Sequence, residues 1–96
     1  MHVISKKKLR EFWEKHAKAQ APLEAWFRIA QVEEWESFSD VQKTLRTADQ
    51  VGKFTVFNIG GNKYRLIAAI HFNRGKLFVR HMLTHAEYDE GKWKNE

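Results

Sequence analysis

The chain has no cysteine, a single proline at Pro22, and no acidic residue anywhere between Asp49 and Glu87. Without cysteine there is neither a disulfide framework nor a thiolate metal site, so a reducing compartment is permitted and a secreted disulfide scaffold is disfavoured. Long apolar runs are lacking too. Leu66 to Ile70 is the longest strictly aliphatic one, far short of a membrane span, and the opening MHVISKKKLREF holds too short an apolar stretch for a signal peptide. A soluble protein of the cytoplasm is expected, with residues 1–96 forming one domain.

What is present is a folding composition, 43% hydrophobic and 14% aromatic, well away from that of a disordered chain. The net charge of +5 is unevenly shared: residues 1–52 hold nine Lys or Arg against eight Asp or Glu, and residues 53–96 hold eight against four. Six of those cations, Lys53, Lys63, Arg65, Arg74, Lys76 and Arg80, fall in the stretch without acids. Such a surplus attracts polyanions, because Lys and Arg that neutralise phosphates release counterions. It also serves solubility, so the charge needs geometry to mean more.

The periodicity sets an order of elements. His2 to Ile4 reads as a short strand. Ser5 is placed to cap a helix over roughly 6–20, with Leu9, Phe12, Trp13 and Ala17 at helical spacing. Ala21-Pro22 is expected to break it, since proline disfavours helical geometry in the residue before it yet suits the first turn of the next helix. Leu23, Trp26, Phe27 and Ala30 mark that second helix. Ser39 is placed to cap a third, with Val41 and Leu45 inward, and TADQVGK reads as a loop around Gly52.

From Phe54 the period becomes that of strands: FTVFNI, NKYRLIAAIHF and KLFVRHML, divided by Gly60-Gly61 and Arg74-Gly75. Both dipeptides suit short hairpins. An antiparallel meander follows, with RLIAAI as its central strand and the helices on one face of the sheet, which is an α+β architecture. If Arg74-Gly75 is a two-residue turn, Asn73 opposes Lys76, and Arg65 then shares a face with Arg80, Lys63, Ile67, His71, Phe78, Met82 and Thr84. The other face takes Leu66, Ala68, Ile70, Leu77, Val79 and Leu83, with His81 on that core side. A three-residue loop would bury Arg80 among aliphatic groups at a cost of several kcal/mol. The two-residue turn is therefore expected, giving one core face and one cationic face.

These residues carry a resemblance. VFNIGGNKYRLIAAIHF followed by FVRHMLTHAEYD resembles the signature of HigB-type toxins, mRNA interferases of type II toxin–antitoxin systems in the RelE/ParE-like superfamily. The FN-x-GGN-xx-R turn and the R-xxx-TH-xx-YD end are its most specific parts, and the tail EGKWKNE falls outside them. The resemblance covers nearly the whole chain. It implies a RelE-like fold and a ribosome-dependent endoribonuclease that cuts mRNA during translation. It also implies inhibition by a cognate helix-turn-helix antitoxin of HigA type. The superfamily's other branch raises a toxin directed at DNA gyrase, and the basic face alone would equally suit a non-cleaving RNA-binding regulator of translation.

Cleaving RNA without a metal requires the 2′-OH to attack its own phosphate. That step needs a base, an acid for the 5′ leaving oxygen, and cations against the charge that builds on phosphorus. Arg65 and Arg80 suit the last role, since guanidinium can meet two phosphate oxygens at once; the bland reading is two solvated arginines. His85 is the best acid/base candidate, because imidazole titrates near neutrality and Thr84-His85 ends a strand. For Tyr88 the resemblance implies an active-site tyrosine, which leaves open whether it donates to the leaving group, orients His85 or stacks on a base. A phenol is a poor base unless cations lower its pKa. Asp89 is expected to pair with a basic neighbour, because a free carboxylate repels phosphate.

Asn58 and Asn62 bracket Gly60-Gly61, where asparagine is ordinary turn chemistry; with Lys63 and Lys53 they are candidates for substrate contact. Lys7 and Lys8 in KKKLR form either a basic patch for ribosomal RNA or a solvated helix face. His71, His81 and His85 lack the spacing and the partner ligands of a metal site, so neither metal nor other cofactor is expected.

Overall fold

The computed structural model describes residues 1–95. Five strands, β1 (His2–Ile4), β2 (Asp49–Val51), β3 (Phe54–Ile59), β4 (Tyr64–His71) and β5 (Lys76–Thr84), form one sheet in the order β1-β5-β4-β3-β2. β1 joins β5 in parallel and the other neighbours are antiparallel. Helices α1 (Lys6–Lys15), α2 (Gln20–Val32) and α3 (Phe38–Thr44) precede β2, and α4 (His85–Glu90) follows β5. The chain is α+β with β4 at the centre, as the sequence implies; no described helix is long and apolar enough to cross a membrane.

The helices turn their expected stripes inward except for Ala17, which is exposed in the turn after α1, and they differ at their ends. α1 ends at Lys15, and the chain turns at His16, whose ring stacks on Phe12 at 4.4 Å. A 3-10 turn over Ala17–Ala19 then leads into α2. Pro22 lies inside the first turn of α2 rather than at a break, where its missing N–H leaves no helical carbonyl short of a donor. The cap of α3 is Ser37, not Ser39: Ser37 Oγ accepts from the Asp40 N–H at 3.4 Å. Residues 49–51, expected as loop, pair with β3 across a turn at Gly52-Lys53, with Gly52 at a φ of 59°.

The expected register between β4 and β5 is overturned. Residues 72–75 form the connection, a 3-10 turn over Phe72–Arg74 ending in Gly75 at a φ of 64°, so His71 opposes Lys76. Further along, Ala68 opposes Val79 but Ile67 opposes His81, which leaves Arg80 as the extra residue of a β-bulge. The bulge exposes Arg80, the outcome for which the two-residue turn was invoked. Beyond it the faces are exchanged. Leu83 and His81 stand with Arg65 and Ile67, whereas Met82 and Thr84 stand with Leu66 and Tyr64. Leu66, Ala68, Ile70, Leu77 and Val79 do face the helices, as expected.

The second sheet face is not an open cationic surface. Phe54, Val56, Ile67 and Trp93 form a small core there, with Val51, Leu83 and Tyr88 packed against it. Trp93 comes from a 3-10 turn over Lys92–Asn95. The main core lies between helices and sheet and centres on Phe57, with Trp26 at 5.3 Å and Trp35 at 6.2 Å between ring centroids.

Candidate active site

The boundary between β5 and α4 builds the site. Thr84 caps α4 through a capping box: its Oγ1 accepts from the Glu87 N–H at 3.2 Å, and its own N–H donates to Glu87 Oε1 at 2.9 Å. This fixes His85 as the first helical residue, so Tyr88 and Asp89 stand one turn on. The His85 N–H donates to the Lys63 carbonyl at 3.1 Å, which ties α4 to the β3–β4 loop. His85 Nε2 lies 3.3 Å from Asp89 Oδ2, the basic partner expected for that carboxylate. The Nδ1 atom of His85 is buried and has no hydrogen-bond partner among the described residues. Thr84→Ala is expected to cost about 1 kcal/mol through loss of the cap, read as a lower urea midpoint, and to loosen the placement of His85.

Gly91, at a φ of 75°, ends α4 and turns the chain back. The Trp93 ring then stacks on Tyr88 at 5.2 Å and 15° between planes, and its Nε1–H donates to the Tyr88 carbonyl at 3.1 Å. The Arg65 guanidinium sits over the same tyrosine, 5.2 Å from the ring centroid.

Arg65 is not the exposed residue expected from sequence. It is 8% exposed, and Nη1 donates to the carbonyls of Asn62 and Tyr64 at 3.3 and 3.2 Å while Nη2 donates to Asn62 Oδ1. Three of the roughly five N–H groups of a guanidinium are thus committed, leaving Nε–H and one Nη2–H. Asn62 belongs to the loop that Gly60 and Gly61 allow by their φ of 62° and 70°. Asn58 opposes Arg65 across the sheet, and Lys63 is exposed beside the start of α4. Asn58, Asn62, Lys63, Arg65, His85 and Tyr88 are therefore gathered at one end of the sheet.

Arg80 is exposed at the bulge whereas Arg65 is buried, so the expected pair of exposed arginines on one cationic face is not formed. The Arg80 carbonyl accepts from Lys8 Nζ at 3.0 Å, and Arg80 borders a depression with Lys8, Lys15, Phe12 and His81. His81 lines a second depression against α4, with Leu83, Glu87 and Trp93, and so connects the two regions. Lys53 lies in the β2–β3 turn, beside a hollow that it shares with Trp93 and Lys94. Lys7 is an exposed position of α1. Among the described residues no group of three or more His, Asp or Glu is placed to hold a metal ion. Sequence reasoning missed Trp93; the signal was a large aromatic in a polar tail, which seldom stays in water.

An imidazole held by a carboxylate, beside a phenol and a guanidinium and near exposed lysines, is equipped to move protons at a phosphate and to offset its charge. The fold is that of a small RelE-like protein. Residues 19–91 match the HigB toxin family, the RelE-like toxic component of a toxin-antitoxin system, and the chain belongs to that family. It is 35% identical over 92 residues to the mRNA interferase toxin HigB of Escherichia coli K12, covering 93% of this chain and 88% of that one. The mRNA interferase HigB of Escherichia coli O6:H1 (strain CFT073) is 30% identical over 93 residues, covering 94% and 90%. That of Shigella flexneri is 35% identical over 92 residues, covering 93% and 88%. The chain is thus the toxin of a pair, and its partner is an antitoxin.

Proposed function

We propose that this chain, a single toxin domain over residues 1–96, is a metal-independent endoribonuclease that cuts translated mRNA on the ribosome, in the cytoplasm. The gathering of His85, Asp89, Tyr88 and Arg65 at the start of α4 carries this reading, and the naming of the relatives as mRNA interferases supports it. The 2′-OH attacks the adjacent phosphorus, the P–O5′ bond breaks, and the products end in a 2′,3′-cyclic phosphate and a 5′-OH. Chemistry of this kind needs proton transfer and cations and is complete without a cofactor. His85 moves a proton at the reacting oxygens through Nε2, its accessible nitrogen, with substrate displacing the Asp89 carboxylate that faces it in the free protein. Tyr88, set by Trp93 and Arg65, is the second group in reach. Arg65 positions Tyr88 and the Asn62 loop, and its two remaining N–H groups point to a phosphate contact. Arg80, thrown outward by the bulge, meets phosphate with Lys8, and Lys63, Lys53, Asn58, Asn62 and Lys7 extend the contact surface.

The antitoxin is of the helix-turn-helix, HigA type in this reading, and it keeps the enzyme from the ribosome in unstressed cells. The test is to map RNA 5′ ends in cells after brief induction of the toxin without antitoxin. New 5′-OH ends inside translated reading frames are expected. Intact message with translation arrested would replace the nuclease by a non-cleaving RNA binder, and intact message with gyrase poisoned would point to DNA topology as the target. Lys7→Ala is expected to reduce ribosome affinity only a few-fold and to lower the salt dependence of binding by about one phosphate contact.

A further inference from the structure

The helical layer carries a groove that the cleavage chemistry does not use. It runs between α1 and α2 and encloses about 360 Å3. Leu9 and Trp13 of α1 and Phe27 of α2 supply its apolar lining, the two aromatic rings being only half-buried. Lys6, Arg10 and Arg28 stand around it as exposed cations, against Glu24 as the one acid, and Lys6 Nζ lies 4.5 Å from the centre of the Phe27 ring. Val32, four residues beyond Arg28 and so on the same side of α2, is 77% exposed, the one large apolar side chain left so open among the described residues. Apolar side chains half-covered by cations are costly to leave to water, and the stripe continues past the groove.

We propose that this groove receives an acidic amphipathic helix of the antitoxin, with apolar side chains seated on Trp13 and Phe27 and carboxylates facing Lys6, Arg10 and Arg28. The inference rests on the chain being the toxin of a pair and is independent of whether it cuts RNA. Both walls are helices contributing residues at i, i+3, i+4 and i+7, which leaves a lengthwise furrow suited to a third helix with anchors at the same spacing. The charge selects the occupant. A second copy of this chain would bring the same three cations and a net +5 against their like. RNA would meet the cations but would leave the open sides of Trp13 and Phe27 without apolar partners. An acidic helix satisfies both the lining and the rim. The groove belongs to the helical layer, whereas Tyr88 and Trp93 pack against the opposite face of the sheet, so this contact and the candidate active site are separable by mutation.

The test uses full-length toxin and full-length cognate antitoxin. R10E/R28E changes two exposed residues, and circular dichroism checks that the fold is kept. The expected result is antitoxin binding weakened about a hundredfold by calorimetry, as like charges face each other across the contact. Growth inhibition in the absence of antitoxin is expected to remain at the wild-type level, and co-expressed antitoxin no longer to rescue growth. Glu24→Lys, which makes the rim wholly cationic, is expected to tighten binding several-fold. It decides the matter should the double variant fail to fold. Affinities unchanged in both variants overturn the proposal. So does loss of ribosome binding with antitoxin binding intact, which would make the groove an RNA surface. A wild-type dimer in sedimentation that R10E/R28E converts to monomer overturns it in favour of a second copy. If the wild type cuts no mRNA yet R10E/R28E loses the antitoxin, the nuclease reading fails and the groove stands.

Discussion

His85→Ala is expected to lower cleavage of ribosome-engaged mRNA by a hundredfold or more and to abolish growth inhibition, while ribosome binding stays close to wild type. The His85 side chain is 41% exposed and is no part of either core, so its removal takes little from the fold. What it removes is a group that transfers a proton or stabilises charge as the P–O bond breaks. Losing such a contact typically costs about 3 to 4 kcal/mol at the transition state, whereas one phosphate contact among several mainly lowers affinity. The outcome is read as kcat in a reconstituted ribosome assay, with melting temperature as control. A variant that binds ribosomes normally and still cuts at the wild-type rate removes His85 from the chemistry. A variant that unfolds makes the histidine structural and leaves Tyr88 as the leading acid/base group.

Phe57→Ala is expected to abolish growth inhibition for an unrelated reason. Phe57 is 1% exposed and lies against Trp26 and Trp35, so truncation leaves a cavity between two rigid aromatic rings that cannot close in on it. Such a change costs about 3 to 5 kcal/mol, against a total stability for a domain of this size of roughly 5 to 15 kcal/mol. Urea denaturation should show the midpoint falling by half or thereabouts, with the slope unchanged. A loss under about 1 kcal/mol would mean that the core relaxes around the gap, contrary to the close packing of buried rings. The two variants separate cleanly: one keeps its stability and does not cut, the other loses about half of its stability and is cleared in the cell because it opens more often.

Much of the local structure was legible along the chain. The buried stripe of α2, the central place of β4 and the end of β5 at Thr84-His85 all follow from periodicity and turn chemistry, because each is decided by residues within one or two turns of each other. The same holds for Asp89, whose basic partner lies four residues away on its own helix. The helix ends were less legible: Ser37 and Ser39 are equally good caps by type, and Pro22 is at home in a first turn as well as after a break.

The register of β4 on β5 was not legible at all, for a physical reason. Leu66, Ile67 and Ala68 are all buried, because the strand is covered on both faces, and a strand covered on both faces has no alternation to set its phase. The second cover is the tail, where Trp93 folds back on Tyr88 and Phe54. A bulge at Arg80 then shifts the phase by one residue, and nothing in KLFVRHML announces it. The class of fold, the supply of cations and the histidine–tyrosine spacing of α4 are already present in the order of residues. The burial of Arg65 under Tyr88 and its tie to Asn62, with Arg80 exposed beside Lys8, rest instead on contacts between strands, helix and tail that are distant in sequence and meet only when the sheet closes.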